Sequence, residues 1–379
     1  MPVDEPWWIT KRNVLLTLAE QHLNAYVYDL TSVRTAAGHL KALGSVSRIL
    51  YAVKANFNED VIRTLSACNV DFDCVSPGEV MRLREVLGRE VEGRILFTPN
   101  FAPKDEYVWG IREGLQVTLD NLFPLKQWPN VFKGQDLFVR MDPDHGAGHH
   151  SHVVTAGVGS KFGVSLDEVD ELVQLVGTAG ARVVGIHAHS GSGILDPENW
   201  RSVANTLQEV ASRFPHVKVL DLGGGIGVPE RSTGSSFDLG ALDRQLGEVR
   251  HEYPDYELWL EPGRYLVSVA GILLTHVTQI KQKGKHGYVG VSTGFNALIR
   301  PALYDSYHEI VNLSKIEWDA TEKLTIVGPI CETGDTFGTG HMLPVCEEND
   351  VILIANAGAY GHVMSSRYNL RDIPPEISI

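Results

Sequence analysis

From residue 48 onward, short runs of Val, Ile, Leu, Phe and Ala recur at near-regular intervals, at 48–54, 70–75, 94–98, 115–119, 136–141, 183–189, 218–222 and 257–261. Each run is almost continuously apolar rather than alternating, a pattern that predicts strands buried on both faces of a parallel sheet. Segments of helical periodicity fall between most of them, at 59–68, 77–87, 165–178, 197–213 and 239–252. Eight such β-α units over roughly 220 residues predict a (β/α)8 TIM barrel rather than an open sheet. Ahead of them lie a lead-in segment, 1–23, with Trp7-Trp8 and Leu15-Leu16, and a further strand candidate, Ala25-Tyr-Val-Tyr-Asp-Leu30. Past Glu261 the rhythm changes to strand-like, Gly-punctuated segments at 265–281, 286–292, 324–328 and 351–356. These predict a C-terminal antiparallel β domain. The expected class is therefore α/β, with the barrel over 25–264 and the β domain over 1–24 plus 265–379.

Composition narrows the class without changing it. An apolar content of 43% and a charged content of 21% over 379 residues suit a globular protein with a sizeable core. Thirty-three Lys+Arg against 47 Asp+Glu give a net charge of -14, which disfavours nucleic acid or an anionic membrane as partner. No signal-peptide pattern opens the chain and no apolar run is long enough for a bilayer, so a cytoplasmic protein is expected. Cys68, Cys74, Cys331 and Cys346 lack metal-type spacing and make no disulfide framework; reduced thiols follow. The patch Asp144-His-Gly-Ala-Gly-His-His-Ser-His152 holds four histidines. With no carboxylate or cysteine at ligand spacing, it is read as a Gly-rich loop and no metal is expected.

In barrels, chemistry collects where strands end and loops begin. Lys54 closes the first apolar run, pointing toward an interior where a charged amine costs several kcal/mol unless it is paired, neutral or covalently modified. An unprotonated amine there suits a Schiff base with a carbonyl compound. The second run ends in Asp73 and Ser76 and the fifth in Arg140. The sixth ends in His187-Ala-His-Ser-Gly-Ser-Gly193, the seventh in Gly223-Gly-Gly225 and the eighth in Glu261-Pro-Gly-Arg264. A Gly triplet after the seventh strand brings bare N–H groups to the place where barrels bind phosphate, with Ser192 and Arg264 beside it. His189 suits a ring stacked on a flat cofactor, and Glu261 a carboxylate that keeps a heteroaromatic nitrogen protonated. Lysine, phosphate cradle, stacking imidazole and carboxylate together describe pyridoxal 5'-phosphate.

In these residues the sequence resembles the fold-type III pyridoxal-phosphate decarboxylases, which pair an alanine-racemase-like barrel with a β domain. Within them it is most similar to the diaminopimelate decarboxylases. The resemblance spans about 24–372 and is carried by Tyr51-Ala-Val-Lys-Ala-Asn56, Ser160-Lys-Phe-Gly163, His189-Ser-Gly-Ser192, Asp221-Leu-Gly-Gly-Gly225 and Glu261-Pro-Gly-Arg264. Further matches are Arg300-Pro-Ala-Leu-Tyr304, Gly328-Pro-Ile-Cys-Glu332 and Gly358-Ala-Tyr-Gly361. It implies that Lys54 holds the cofactor, His189 stacks on it and Glu261 meets its ring nitrogen. Asp73, Arg140, Ser192, Gly223, Gly224, Gly225, Gly263, Arg264 and Tyr360 complete the implied cofactor site. Arg264, Arg300, Tyr304 and Tyr360 are implied for the substrate. Cys331 as proton donor and Glu332 as reader of a distal ammonium are implied to come from a partner subunit, hence a homodimer with shared active sites.

Two features depart from the family. Ser190 stands after His189 where an aliphatic residue is usual, and the chain stops at Ile379, soon after the Tyr360 motif. Short forms of the family also occur as the decarboxylase half of a fusion with aspartate kinase, and the opening Met1-Pro-Val-Asp makes such a fusion one expectation for this chain. The resemblance implies decarboxylation of meso-2,6-diaminopimelate to L-lysine. Arg300 and Arg264 are fork-shaped donors for carboxylates, and Glu332 an anion for an ammonium. Alternatives at this stage are a decarboxylase of ornithine or arginine type, one acting on a siderophore intermediate, an amino-acid racemase, or a non-catalytic regulatory relative.

Overall fold

The structure, a computed structural model, describes residues 5–143, 160–234 and 236–379, and the His-rich patch at 144–152 lies outside them. The chain divides into two compact units: one of 34–227 and 237–265, the other of 1–33, 228–236 and 266–379.

In the first unit eight parallel strands close on themselves. With β1 reserved for Ala25–Tyr28, they are β2 (Arg48–Ala52), β3 (Asp71–Cys74), β4 (Ile95–Phe97), β5 (Gln116–Leu119), β6 (Asp136–Arg140), β7 (Arg182–His187), β8 (Val219–Asp221) and β9 (Glu257–Leu260). Pairing of Arg48 with Trp259 and of Ile49 with Leu260 seals the ring. The interior is filled by Leu50, Leu96, Phe138, Val219 and Trp259, with Phe138 stacked on Trp259 at 5.3 Å between ring centres. Such inward layers make a solid core and leave the strand ends as the place for chemistry. Helix starts follow local signals: the Asn58 side chain accepts from the N–H groups of Asp60 and Val61, and Ser76 from that of Glu79 ahead of Pro77.

The second unit is a sheet ordered β12-β15-β10-β11-β13-β14, with β1 joining β10 and β16. Its strands are β10 (Gly271–Lys283), β11 (His286–Val291), β12 (Ile310–Asn312), β13 (Glu322–Val327), β14 (Thr336–Leu343), β15 (Val351–Ile354) and β16 (Glu376–Ser378). Most pairings are antiparallel, as expected for the β domain, but β11–β13 and β1–β16 run parallel, so the sheet is mixed. The boundary expected at residue 25 moves. Ala25–Tyr28 pairs antiparallel with β10, Tyr28 opposite Gly271, and all four of its residues are buried in this sheet. The lead-in forms helices Trp7–Thr10 and Arg12–Gln21, which set Trp8, Leu15 and Ala19 into the core under β1, β10 and β15. The strand expected from 265 begins later, at Gly271, because Arg264–Val267 first makes a helical turn. Among the described residues no helix is long and apolar enough to cross a membrane.

Candidate active site

After β2 the chain makes one 3-10 turn, Val53–Ala55, pinned by the Tyr51 hydroxyl donating to the Asn56 carbonyl at 2.8 Å. Val53 and Ala55 are buried, whereas the Lys54 side chain stands 42% exposed at the rim. This corrects the expectation of an amine sunk in the interior. Its Nζ lies 2.7 Å from an Asp73 carboxylate oxygen, and Asp73, on β3, is 1% exposed. Asp73 also accepts from the Thr98 hydroxyl. Burial raises its pKa above the usual range, against the pull of Lys54. Glu79 lies within reach of the same two charges. Its carboxylate accepts from the Val75 N–H at 2.8 Å, and burial pushes its pKa up to about 7.

Arg140, at the end of β6, lays its guanidinium over the Phe162 ring at 4.3 Å and sits 3.6 Å from the Asp120 carboxylate. Burial lowers its pKa, opposed by Asp120, Glu261 and Asp73. His189 follows β7; its Nδ1 accepts from the Gly224 N–H at 3.2 Å. Burial, then the nearby Arg140 and Lys54 cations, hold its pKa down to about 3, so the ring is neutral. Glu261, just past β9, is 6% exposed, and its Oε2 lies 3.0 Å from Nε2 of His187. Although burial works to raise it, His187 and then Lys54 hold the Glu261 carboxyl at about 2.

The glycines of the triplet answer first to crowding. A Cβ on Gly224 would lie 2.3 Å from the Glu261 carbonyl oxygen, one on Gly223 2.4 Å from that of Ala188, and one on Gly225 2.6 Å from that of Gly191. Gly223 and Gly225 also sit at φ of 66° and 98°, where glycine is favoured. Two of their N–H groups are committed inside the barrel: Gly223 donates to Asp221 at 3.0 Å and Gly224 to His189. Arg264 donates through Nε and Nη2 to the Ser192 hydroxyl, both at 3.2 Å, and Gly263 beside it is buried. Ser190 is buried too and accepts from the Asn199 amide at 2.9 Å, which explains how a hydroxyl is tolerated on this strand end.

The barrel unit thus gathers Lys54, Asp73, Arg140, His189, Ser192, the Gly triplet, Glu261, Gly263 and Arg264 at one end of its strands. The remaining candidates belong to the β unit. Arg300, 4% exposed, donates to the Ser306 hydroxyl at 3.1 Å and stands over the Tyr304 ring at 5.6 Å. Cys331 is exposed, and its N–H donates to the Asn369 side chain at 3.0 Å. Glu332 accepts from the Tyr368 hydroxyl and borders an open recess of about 710 Å³ with Phe295, Ala302, Gly334, Ser366 and Tyr368. Asp335 ties this turn down, taking the N–H groups of Ile330 and Phe295 at 2.7 Å each. Tyr360 holds φ of 56°, an unusual backbone state for a tyrosine.

No role followed from the sequence for Glu79, Asp120 or Tyr368, nor for His187 and Asp221, although both stand in the motifs named above. Ser76-x-x-Glu79 is a capping pattern that places a carboxylate one turn into a helix at the rim. Asp221, an ionisable residue in an otherwise apolar run just before the triplet, carries a similar signal. A charged carboxylate, a neutral imidazole and a paired lysine at one end of the barrel strands fit a flat cofactor bearing an aldehyde and a basic ring nitrogen.

Comparison with known proteins points the same way. Residues 31–268 match the family described as pyridoxal-dependent decarboxylase, pyridoxal binding domain. The chain is 37% identical to a diaminopimelate decarboxylase of Methanothermobacter thermautotrophicus over 89% of its own length and 81% of the relative's. It is 33% identical to one from Archaeoglobus fulgidus over 99% and 87% of the two chains. The crystal structure of diaminopimelate decarboxylase from Helicobacter pylori complexed with L-lysine superposes with a TM-score of 0.86 at 27% identity, covering 96% of this chain and 94% of that one.

Proposed function

The chain belongs to the pyridoxal-dependent decarboxylases, and within them to the diaminopimelate decarboxylases; on that footing we propose that it removes one carboxylate from meso-2,6-diaminopimelate and releases L-lysine. The observation that carries the reading is the charge arrangement at the barrel rim: Lys54 paired with buried Asp73, facing an ionised Glu261 and a neutral His189. Pyridoxal 5'-phosphate supplies, when bound, an electron-withdrawing ring that stores the electron pair left behind as CO2 departs.

The chain's own residues bind and orient. Lys54 is the anchoring amine, and Asp73 keeps it at the rim until cofactor arrives. His189, held by the Gly224 N–H, presents a flat neutral face. Glu261, kept ionised in a dry setting, favours a proton on a ring nitrogen placed against it. Ser192, Gly223 to Gly225 and Tyr360 serve the phosphate. Because Gly223 and Gly224 donate inward, Gly225 is the donor of the triplet left for that anion. Arg140 and Gly263 line the same site.

Substrate recognition falls to Arg264, Arg300, Tyr304 and Tyr360. Arg264 is steadied by Ser192, and the buried Arg300 offers a fork to a distal carboxylate. Cys331 of the partner subunit delivers the proton to the carbon that lost CO2, and Glu332 of the partner subunit pairs with the distal ammonium. The protein then works as a homodimer with shared sites. Incubation of purified, cofactor-loaded protein with meso-diaminopimelate, ornithine and arginine, with CO2 and amine product assayed, tests the reading. Turnover of meso-diaminopimelate at least about a hundredfold faster than of either other amino acid is expected, since each missing carboxylate leaves a buried arginine unanswered. Conversion of ornithine or arginine but not diaminopimelate would overturn it.

A further inference from the structure

Behind Glu261 stand two ionisable side chains with no part in the function proposed so far. His187 ends β7 and Asp221 ends β8, and the two are register partners across the parallel pair. They are 3% and 0% exposed. One ligand-type atom from each of His187, Asp221 and Glu261 lies within 4.8 Å of the others. Asp221 Oδ1 accepts the Gly223 N–H, whereas its Oδ2 and Glu261 Oε1 meet no hydrogen-bond donor among the described residues.

Two carboxylates so close and so dry cannot both stay ionised against a single imidazole. Of the other charges facing the trio, Lys54 favours the ionised form of Glu261, but none is left over to balance a second carboxylate. Lys54 is matched by Asp73, Arg140 by Asp120, and His189 is neutral. Of the pair, Glu261 has His187 at 3.0 Å, while the donor that Asp221 meets among the described residues is the Gly223 backbone amide. Burial and then the Glu261 charge push the Asp221 carboxyl well above its usual range, in agreement with this geometry.

We propose that Asp221 is a positioning residue that keeps its proton at working pH and directs it at Glu261, so that with His187 it fixes Glu261 as the trio's single charged carboxylate. The inference rests on Glu261 being the group that faces the cofactor ring nitrogen. A protonated acid in that position holds the Glu261 carboxylate in orientation without adding a second negative charge beside it. The same three side chains have the spacing of cation ligands, and a bound cation would require Asp221 to give its proton up.

The first test needs no cofactor. Infrared difference spectra of cofactor-free wild type minus Asp221→Asn at neutral pH are expected to show the carbonyl stretch of a protonated carboxylic acid, lost in the variant. Absence of that band, whether through ionisation or a cation in the proton's place, overturns the proposal. The second test is cofactor affinity, measured by titrating pyridoxal 5'-phosphate into apoprotein. Asparagine reproduces the shape and the donor of the neutral acid, so Asp221→Asn is expected within about threefold of wild type, and Asp221→Leu at least about tenfold weaker. Equal weakening by Asn and Leu would mean that the charge is needed. No weakening by Leu would mean that nothing is positioned. Glu261→Gln separates the two readings: unchanged affinity there defeats the role given to Glu261, while the infrared band still decides the state of Asp221.

Discussion

His189 is a base that the fold keeps neutral. Its pKa falls from 6.5 to about 3, by burial first and then by Arg140 and Lys54. Between those values the unfolded chain binds a proton that the folded one refuses, so the contribution of His189 to stability is lost as pH falls from 6.5 toward 3. His189→Gln removes the titration. The advantage of wild-type apoprotein over this variant in urea unfolding is expected to shrink from pH 7.5 to pH 5.5; an advantage independent of pH would contradict the account. Single residues were the least legible scale. Lys54 was identifiable as an unusual amine, but its exposure and its pairing with Asp73 depend on a strand that begins 17 residues later. Asp221 and His187 acquire their meaning only from Glu261, which lies 40 residues beyond the first and 74 beyond the second.

At the scale of elements, continuous apolar runs announced the eight barrel strands well, because burial on both faces leaves no polar alternation to confuse the pattern. Ala25–Tyr28 misled for the same reason. A four-residue buried run has the same composition in a barrel or between two strands of a mixed sheet, and here its partners are some 245 and 350 residues away. One of those partners, Glu376–Ser378, is too short and polar to announce itself. The Gly triplet was legible as a motif, yet its main constraint is the approach of neighbouring strand ends. Gly224→Ala sets a Cβ 2.3 Å from the Glu261 carbonyl, and a backbone shift of Glu261 must follow. Cofactor affinity is expected to fall at least about tenfold in that variant, measured by titration of apoprotein, with far-UV circular dichroism unchanged. Affinity equal to wild type would show that the strand ends yield without cost to the site.

At the scale of the whole molecule, the candidates divide between a barrel and a sheet assembled from both ends of the chain. Cys331 is exposed and Glu332 borders an open recess on the sheet unit, as residues destined for a second subunit's site would be. Mixing Lys54→Ala with Cys331→Ala tests this. Random reassortment into dimers restores one intact site in half of the molecules, and recovery of up to about a quarter of wild-type activity is expected. A mixture as inactive as its parents would place each site within one chain. All of these roles presuppose a coenzyme joined to Lys54. Reconstituted protein treated with borohydride and mapped by peptide mass should carry the reduced pyridoxyl group on Lys54 and on no other lysine. Protein that takes no label there, or takes it elsewhere, would contradict the account.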